Sequence, residues 1–418
     1  MLKKLVSCVV MLSTWKLRFF SNDKCNLCGT CLSECQVLNL PRDLARGEIK
    51  LLIEGIERSY TLSKCISCFT CDVLCPEGCN PYELILYNKF ESIRRRGMPL
   101  RVRYMLPHRF PNFRSVVIRR LPPEDRRTIL EWVERTRRLK IRGKEVIYAG
   151  CNLMTLPYLT YTKLLDGIPV IAAPEICCGE MYYRMGMLDL AFKAATMVED
   201  FFRKIDVRTV LFLCTGCYDM LSKIYPSRFG IDIGAEMHYL TEWLWEQGRV
   251  DVKRKIRRTI TVQDSCHAKI LGDEFMEGQR RILEGLGLEI VEMKNAKMRA
   301  MCCGLGYGVR RYNIFDLVYG ILKRLREARE TGAEILVPYC LGCLITQSGG
   351  MWLYRTGMQI YHVMDFLRCA TGERPVVRHK EVGKYVVQSI IYGAIPDIFS
   401  RKRFYVEQLW PFKEKVLS

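Results

Sequence analysis

The stretch Val210-Leu-Phe-Leu-Cys214-Thr-Gly-Cys217 returns further along the chain as Ile335-Leu-Val-Pro-Tyr-Cys340-Leu-Gly-Cys343. In both copies a short apolar run leads directly into a cysteine pair with two residues between its members. A buried strand that ends at a turn has this pattern. The recurrence of the strand together with its cysteines predicts a duplicated unit.

The duplication extends over residues 144–370. Each copy also has an earlier strand that ends at a single cysteine, and a Cys-Cys-Gly triplet in the middle. The first copy contains Val146–Cys151 and Cys177-Cys178-Gly179, and the second contains Ile260–Cys266 and Cys302-Cys303-Gly304. The offset is 125 residues for the paired cysteines and 126 for the last. This regularity indicates gene duplication and fusion.

Helical patterns follow the strands, as in Asp189–Lys204 and Ile314–Arg329. Strands that alternate with helices predict a small, mostly parallel sheet in each repeat. The cysteines then lie at the C-terminal ends of strands, where open α/β sheets bind their ligands. The predicted fold class is thus an α-helical ferredoxin domain, described next, followed by a duplicated α/β domain.

Two further cysteine runs precede the repeats. They read Cys25-x₂-Cys28-x₂-Cys31-x₃-Cys35 and Cys65-x₂-Cys68-x₂-Cys71-x₃-Cys75-Pro76. This spacing wraps a cubane [4Fe–4S] cluster, and in two-cluster proteins the fourth cysteine of each run binds the other cluster. Zinc sites instead favour separate Cys-x-x-Cys pairs. We expect one cubane on Cys25, Cys28, Cys31 and Cys75, and the other on Cys65, Cys68, Cys71 and Cys35.

The region around these runs predicts a helical ferredoxin domain. Residues 36–64 include an amphipathic stretch at Ile49–Ile56, which favours helices over a compact β-rich ferredoxin. The predicted organisation is a leader at 1–22, a ferredoxin-type domain at 23–92, a basic connector at 93–143, the two repeats at 144–250 and 251–370, and a basic, aromatic tail at 371–418.

Composition narrows the class of protein. A chain of 418 residues can build an ample core without disulfides, so its 21 cysteines in tight, repeated spacings indicate metal in a reducing compartment. Eighteen of the cysteines fall in the four runs. No glycine motif for a nicotinamide or flavin follows a strand, and Gly304-Leu-Gly306-Tyr-Gly308 is better interpreted as a close-packed cluster loop. Electrons must then come from another protein.

The charge is strongly positive and uneven. The formal net charge is +20, and residues 94–142 hold sixteen Lys and Arg against four acidic residues. Because no nucleic-acid fold motif accompanies this run, we expect a face for a partner or an anionic membrane rather than nucleic acid. The apolar stretch Leu5–Trp15 is shorter than the roughly 20 residues of a membrane span. It predicts a short amphipathic helix that docks on a partner or a membrane surface.

The cysteine pattern of the repeats resembles that of a known family. Each repeat offers five cysteines, whereas a cubane needs four. The repeats resemble the CCG domains of heterodisulfide reductase. The order of ferredoxin runs and two CCG repeats resembles the D subunit of that enzyme, or its C and B subunits fused, over roughly residues 20–370.

The resemblance implies a set of cluster ligands. In that family each complete unit holds a noncubane [4Fe–4S] cluster, and the two clusters face one another and bind the two sulfurs of a disulfide. Carried over, one cluster would lie on Cys151, Cys177, Cys178, Cys214 and Cys217, and the other on Cys266, Cys302, Cys303, Cys340 and Cys343. One departure is the short leg between Cys151 and Cys177, which has 25 residues against 35 in the second repeat. A trimmed helix, or an altered first cluster or substrate pocket, would explain it.

The resemblance also implies a function. It suggests an oxidoreductase that acts on sulfur groups and reduces a small disulfide with electrons relayed through the cubanes from a membrane cytochrome b-type subunit or a soluble flavoprotein. The expected location is cytoplasmic, or peripheral on the inner face of the membrane through a partner subunit. The alternatives are an electron-transfer subunit of a quinone-linked flavin dehydrogenase (glycolate, lactate or glycerol-3-phosphate type) and a subunit of a sulfur-metabolism membrane complex.

Several other residues are candidates for supporting roles. His267, next to Cys266, is a candidate proton donor or a structural hydrogen-bond partner. His238 and His362 follow the Cys-x-x-Cys motifs and are expected to be structural. Four cations near the cysteine loops would bind an anionic thiol cofactor or balance cluster charge: Lys223, Lys269, Arg310 and Arg311. Three cysteines remain outside the runs: Cys8, Cys79 and Cys369. Cys79 can substitute as a ligand, but all three are expected to be ordinary buried thiols.

Overall fold

The computed structural model describes residues 14–139, 141 and 144–405. The predicted leader therefore lies largely outside the described residues, as does Cys8. The described part of the leader packs on its own chain, because Trp15 is buried and its indole Nε1–H donates to Glu83 Oε2 at 3.1 Å. The predicted docking helix, Leu5–Trp15, lies outside the described residues except for its last two. None of the helices within the described residues is both long and apolar enough to cross a membrane.

The ferredoxin-type region is helical, as predicted. Its helices are α1 (Trp15–Phe19), α2 (Thr30–Ser33), α3 (Arg42–Glu54), α4 (Tyr60–Lys64), α5 (Thr70–Leu74) and α6 (Pro81–Arg96). The amphipathic helix α3 buries Ala45, Ile49 and Leu52 on one face. It ends at Gly55, which takes the left-handed conformation typical of a helix C-terminus.

The connector is folded into the protein. Strand β1 (Met98–Pro99) and a 3₁₀ segment (Leu100–Met105) lead into α7 (Phe113–Arg120) and α8 (Pro123–Arg137). Asn112 caps α7 by accepting the backbone N–H of Ser115. Within the basic run Arg114 is buried, whereas side chains such as Arg94, Arg126 and Arg127 are exposed. The face for a partner or an anionic membrane stays a prediction.

Each repeat contains a four-stranded parallel sheet, as predicted. The first repeat has β2 (Glu145–Tyr148), β3 (Val170–Ile171), β4 (Thr209–Phe212) and β5 (Glu236–Tyr239), in the order β3-β2-β4-β5. The second has β6 (Thr259–Gln263), β7 (Glu289–Ile290), β8 (Ile335–Pro338) and β9 (Gln359–Ile360), in the order β7-β6-β8-β9. The register pairs Val210 with Val146 in the first sheet and Leu336 with Thr261 in the second.

Helices surround both sheets, which explains why the strands β4 and β8 are largely apolar. Strands β4 and β8 are buried at every position. The first repeat contains α9 (Gly150–Leu153), α10 (Glu180–Met185), α11 (Leu188–Phe202), α12 (Thr215–Asp219), a π-helix (Met220–Phe229) and α13 (Leu240–Glu246). The second contains α14 (Ala268–Leu271), α15 (Asp273–Gly285), α16 (Leu305–Arg311), α17 (Ile314–Glu330), α18 (Leu341–Leu353) and α19 (Val363–Ala370).

The short leg of the first repeat has a plain structural cause. After β6 the chain forms α14 and then the thirteen-residue helix α15 before it reaches β7. After β2 it forms only α9 and two 3₁₀ turns, Pro157–Thr160 and Lys163–Leu165, before β3. The trimmed-helix explanation is therefore correct.

The C-terminal segment is an integral part of the fold and not a tail. Helix α20 (His379–Ile398) lies against α18 so closely that a side chain at Gly383 would collide with the backbone of Ser348. It also packs on the connector, where the Tyr104 hydroxyl donates to the Ser389 carbonyl at 2.7 Å. Strand β10 (Arg403–Phe404) then pairs antiparallel with β1. Residues 406–418 lie outside the described residues.

Candidate iron–sulfur and redox site

The first group of four thiols combines cysteines from both ferredoxin-like runs. Burial raises the pKa of Cys31, and the nearby thiols of Cys75, Cys28 and Cys25 raise it further. The same four thiols line one small cavity. The structure thus brings Cys75 of the second run to the three leading cysteines of the first.

The second group has the reciprocal composition. Burial raises the pKa of Cys35 to about 12, and the neighbouring thiols of Cys68 and Cys65 add to the rise. The pKa of Cys71 is raised by burial, then by Asp72 and Cys65. Cys35 of the first run therefore lies with Cys65, Cys68 and Cys71, which is the crossed arrangement that the sequence predicts for two cubanes.

Both runs wrap these groups with the same backbone. Leu27 and Gly29 in the first run have positive φ angles, as do Ser67 and Phe69 at the matching places in the second. Left-handed residues curl the loop tightly, which turns backbone N–H groups inward. One of them, the Ser67 N–H, donates to Cys65 Sγ at 3.4 Å. Such N–H groups favour the thiolate form that binds iron.

The ten cysteines of the repeats form one continuous line in which each thiol lies close to the next, here called the ten-thiol line. Cys217 Sγ lies 3.4 Å from Cys178 Sγ within the first repeat. The two repeats are joined by a contact between Cys214 and Cys340. The full order is Cys151, Cys177, Cys178, Cys217, Cys214, Cys340, Cys343, Cys303, Cys302 and Cys266.

This order reflects a two-fold relation between the repeats. Cys214 and Cys340 are equivalent residues, and each follows the central strand of its sheet, β4 or β8. Contact between equivalent residues is what a two-fold axis produces. Around the axis, the Thr215 hydroxyl donates to Ser265 Oγ at 2.7 Å, and the Tyr239 hydroxyl reaches the Tyr339 carbonyl. The C-terminal edges of the two sheets therefore face one another.

The backbone leaves room for the thiols where the sequence has glycine. Gly150 has a positive φ angle, and a Cβ there would lie 2.7 Å from Cys217 Sγ. Gly306 approaches Cys302, since its N–H donates to Cys302 Sγ at 3.2 Å. A Cβ on Gly306 would collide with the Ile66 carbonyl of the second ferredoxin run. The glycine-rich loop is thus a close-packed cluster loop, as expected.

The residues present fit iron–sulfur clusters. Their donors are thiols alone, the ligand type of such clusters. Among the described residues no three His, Cys, Asp or Glu side chains converge closely enough to hold a single metal ion. The buried Tyr307 hydroxyl has no hydrogen-bond partner among the described residues. Burial raises its pKa, and the nearby thiols of Cys302 and Cys68 add to the rise. A group that fills the space between these thiols would satisfy it.

His267 lies at the junction of the repeats. Its Nδ1 is 2.7 Å from Asp219 Oδ2, and its Nε2 is 2.8 Å from Glu180 Oε1. Burial alone would lower the pKa of His267, but the hydrogen bonds to these two carboxylates outweigh it and raise the pKa to about 10. Both carboxylates belong to the first repeat, so each repeat completes the surroundings of the other.

Arg184 extends this cluster to the thiols. Its Nη2 donates to Cys266 Sγ at 3.1 Å, and its Nε donates to Glu180 Oε1 at 2.5 Å. The pKa of Glu180, which burial would raise, is lowered to about 2 by Arg184 and His267. Sequence reasoning missed Glu180, Arg184 and Asp219. The available signal was position, because Glu180 follows the Cys-Cys-Gly triplet directly and Asp219 follows Cys217 by two residues.

A cavity of about 250 Å³ borders the ten-thiol line. One wall carries thiols and polar groups: Cys214, Cys266, Cys303, Cys340, Cys343, Arg114, Asn152, Glu180, Arg184 and His267. Another wall is apolar and comes from α17, α18 and α20, with residues such as Leu317, Ile345 and Ile390. Asn152 links the connector to the line, because it accepts from Arg114 Nε at 3.2 Å and donates to Cys214 Sγ at 3.6 Å. Because α20 belongs to the segment predicted as a tail, that segment builds part of the site.

The four predicted cations do not line this cavity. Lys269 is buried and donates to Thr70 Oγ1 and the Ala300 carbonyl, at 2.5 and 2.7 Å. Arg310 is paired with Asp316 at 2.6 Å. Lys223 and Arg311 are exposed. Arg114 and Arg184 contact the cavity instead, and sequence reasoning missed both.

The remaining histidines and cysteines have separate positions. His362 accepts the backbone N–H of Met364 and caps α19, which makes it structural, as expected. His238 lies in β5. Cys369 is half-buried near the end of α19, away from the thiol groups. Cys79 is buried and lines the cavity of the first four-thiol group.

Two regions of the chain match the family model of the CCG cysteine-rich domain, at residues 146–222 and 260–346. These ranges cover three strands of each sheet and all five cysteines of each repeat. The match therefore follows the duplication that the two sheets show.

More particular relatives are known. The chain is 23% identical over 393 residues to the D subunit of the dihydromethanophenazine:CoB–CoM heterodisulfide reductase of Methanosarcina mazei, and 25% identical to that of Methanosarcina barkeri; both alignments cover 84% of this chain and 94% of the relative. A probable glycolate oxidase iron–sulfur subunit of Bacillus subtilis is 25% identical over 434 residues, with the same coverage. The chain therefore resembles the D subunit of heterodisulfide reductase. These relatives and the thiol groups support an iron–sulfur electron-transfer subunit of an oxidoreductase that works with partner subunits.

Proposed function

We propose that the chain is the catalytic subunit of a disulfide reductase. The reaction converts R–S–S–R′, two electrons and two protons into R–SH and R′–SH. The observation that carries the proposal is the unbroken ten-thiol line beside a cavity, with the two five-thiol sets meeting at Cys214 and Cys340. We propose that each set holds a noncubane [4Fe–4S] cluster and each four-thiol group a cubane. Bound clusters would supply single electrons and iron sites with affinity for sulfur.

The packing of the ferredoxin-type domain supports an order for the electron path. Cys71 of the second four-thiol group lies close enough to Cys31 of the first for the Cys31 thiol to raise its pKa. Beyond it, Ile66 touches Gly306, and Gly306 contacts Cys302 at the second repeat. Electrons would pass from the first group to the second and then enter the ten-thiol line near Cys302. The donor would be a partner subunit, either a cytochrome b-type protein or a flavoprotein.

His267 is our candidate for delivering a proton to a product sulfur. It lines the cavity beside Cys266, and Glu180 and Asp219 fix its ring from the opposite repeat. Arg184 holds the same Glu180 carboxylate and contacts Cys266. These residues would hold the imidazole beside the cavity and place positive charge where sulfur gains negative charge.

The test is disulfide-dependent oxidation of reduced methyl viologen by the anaerobically prepared, iron-loaded protein. We expect two viologen radicals to be consumed for each bis(2-hydroxyethyl) disulfide. Cys266→Ser should abolish the reaction, whereas the matched change Cys369→Ser, away from the thiol groups, should preserve it. His267→Gln should keep its iron and lose about a hundredfold in rate, as expected for loss of a general acid. An iron-loaded protein that takes up electrons but never consumes disulfide would refute the proposal.

A second function has its own support. The similarity to the probable glycolate oxidase iron–sulfur subunit covers as much of the chain as the similarity to the heterodisulfide reductase relatives. In that case the chain would pass electrons from a flavin dehydrogenase to a quinone and perform no sulfur chemistry. Rapid reduction of the clusters by a flavin dehydrogenase and its substrate, without disulfide consumption, would favour this alternative.

A further inference from the structure

The cavity beside the ten-thiol line has two chemically different walls. The polar wall includes Cys266, Cys303, Cys340 and His267. The opposite wall is formed by aliphatic side chains of three helices, among them Leu317, Val318 and Ile390. A small, fully polar disulfide would leave this apolar wall in contact with water, which is unfavourable. The shape therefore matches a molecule that has sulfur at one end and an apolar chain at the other.

The cavity reaches the surface on its apolar side. Leu353 and Ile391 both line it and are exposed, to 49% and 40% of their surface. The residues next to them, Trp352 and Tyr392, are exposed as well. The opening thus lies among exposed apolar side chains, whereas the thiols are deep inside. An exposed apolar patch of this kind marks a binding site more often than an accident of folding.

The charges of the cavity give little support to an anionic end group. Two arginines line it, and both are already engaged among the described residues. Arg184 is bound to Glu180 and Cys266. Arg114 donates to Asn152 and the Met105 carbonyl, and its guanidinium lies 4.3 Å from the centre of the Phe113 ring. The residues that α17, α18 and α20 contribute to the lining of this cavity, all among the described residues, carry no charge.

The apolar space continues beyond the main cavity. A second cavity of about 70 Å³ shares Leu305, Ile314, Leu317 and Ile390 with the first. It extends between α16, α17 and the end of α20, where Ile398 lines it. An alkyl chain longer than a few carbons would find room along this path. Arg101 also lines it, but its guanidinium already donates to the Tyr312 and Arg311 carbonyls.

From these observations we infer that the sulfur substrate carries a long, uncharged apolar chain, which lies along α17, α18 and α20 while its sulfur faces Cys266, Cys303 and Cys340. The inference rests on the proposed function, which assigns sulfur chemistry to this site. The balance of the reaction is unchanged: the disulfide takes up two electrons from the partner that donates them and two protons, and leaves as two thiols. The helix α20 sets the substrate class, since it supplies Val386, Val387, Ile390 and Ile391 to the wall.

The experiment compares three thiols on the oxidised, iron-loaded protein. The thiols are 1-hexanethiol, the short uncharged 2-mercaptoethanol and the short anionic 2-mercaptoethanesulfonate. Binding is measured by calorimetry, and contact with the clusters by the EPR signal that each thiol induces. We expect 1-hexanethiol to half-saturate at a concentration about tenfold lower than either short thiol, because its methylene groups are buried.

Variants in α20 and α17 separate filling of the cavity from general damage. Ile390→Trp, or the milder Val318→Phe, should remove the advantage of 1-hexanethiol and leave the binding of 2-mercaptoethanol unchanged. Tyr392→Trp adds a ring on the same helix outside the cavity and should bind all three thiols like the wild type. Iron content and circular dichroism show whether each variant is folded.

The outcomes distinguish the two levels of the proposal. Equal affinity for 1-hexanethiol and 2-mercaptoethanol, or tightest binding of the sulfonate, would overturn the apolar-substrate inference while leaving disulfide reduction intact. Tight binding of 1-hexanethiol without an EPR response to any thiol would leave the apolar site in place and overturn the proposed function. Tight binding with an EPR response, lost in Ile390→Trp, would support both.

Discussion

At the scale of single residues, the sequence predicted the cysteines better than their surroundings. Spacing alone paired Cys75 with the first ferredoxin-like run and Cys35 with the second, and the structure brings these thiols together accordingly. Glu180, Arg184 and Asp219 were beyond reach, because they act across the junction of two repeats. Their roles depend on tertiary contacts to His267, and no local pattern encodes such contacts.

Cys79 provides a prediction at this scale. Its backbone N–H donates to Cys75 Sγ at 3.3 Å, its thiol contacts both Cys75 and Cys25, and it lines the cavity of the first four-thiol group. We expect Cys75→Ser to retain most of its iron, because Cys79 replaces the lost ligand. The double variant Cys75→Ser, Cys79→Ser should lose the iron of one cluster, and Cys79→Ser alone should lose none. Iron analysis and EPR of the reduced protein measure this, and equal loss in the single and double variants would contradict it.

At the scale of elements, the strands before the cysteines and the long helices α11 and α17 were predictable from apolar runs and helical periodicity. The structure of the C-terminal segment was not predictable from its basic, aromatic composition, because it depends on packing against the helix α18. Close contact of Gly383 with Ser348 and of Gly349 with Val387 seats α20 on α18. The apolar face of α20 is explained only once that neighbour and the cavity are known.

The cap of α19 predicts a pH dependence of stability. The His362 Nδ1 accepts from the Met364 N–H at 3.2 Å, and its Nε2 donates to the Tyr339 carbonyl at 3.0 Å, which requires a neutral ring. Burial lowers the pKa of His362 from 6.5 to about 4. The unfolded chain therefore binds a proton at higher pH than the folded one, so this stability is complete above pH 6.5 and is lost as the pH falls towards 4. The full loss would be about 3 kcal/mol.

Thermal unfolding followed by circular dichroism at several pH values measures the effect. His362→Asn keeps a residue that caps helices well but does not titrate. It should lower the melting temperature at neutral pH and lose less further stability than the wild type between pH 7 and 5. His108, whose pKa burial also lowers to about 4, remains in both proteins and cancels in the comparison. A parallel decline of the two melting curves with pH would contradict the assignment.

At the scale of the whole molecule, three units meet at one place. The two repeats face one another across Cys214 and Cys340, and the ferredoxin-type domain reaches the second repeat at Ile66 and Gly306. The sequence predicted each unit from its own motif. It could not predict their mutual contact, because packing between domains leaves no periodic signal. The predicted domain boundaries remain a proposal.

Contact between the units predicts that Gly306 controls electron entry. A methyl group in Gly306→Ala would collide with the Ile66 carbonyl and separate the second four-thiol group from Cys302. We expect slower oxidation of the reduced ferredoxin-type clusters after disulfide is added, with unchanged iron content. Gly47→Ala is the matched control, since no atom lies within 4 Å of a Cβ at that helical position. Stopped-flow absorbance measures both rates, and equal rates would place the entry point elsewhere.

The ten-thiol line also makes the protein sensitive to oxidation. Neighbours such as Cys178 and Cys217 lie 3.4 Å apart, and hydrogen bonds from Cys177 and Cys217 lower the pKa of Cys178 to about 7. A thiolate beside a second thiol is the usual precursor of a disulfide. Oxygen would therefore close bridges along the line, including one between the repeats at Cys214 and Cys340, and each bridge would remove two sulfur atoms from those that can bind iron.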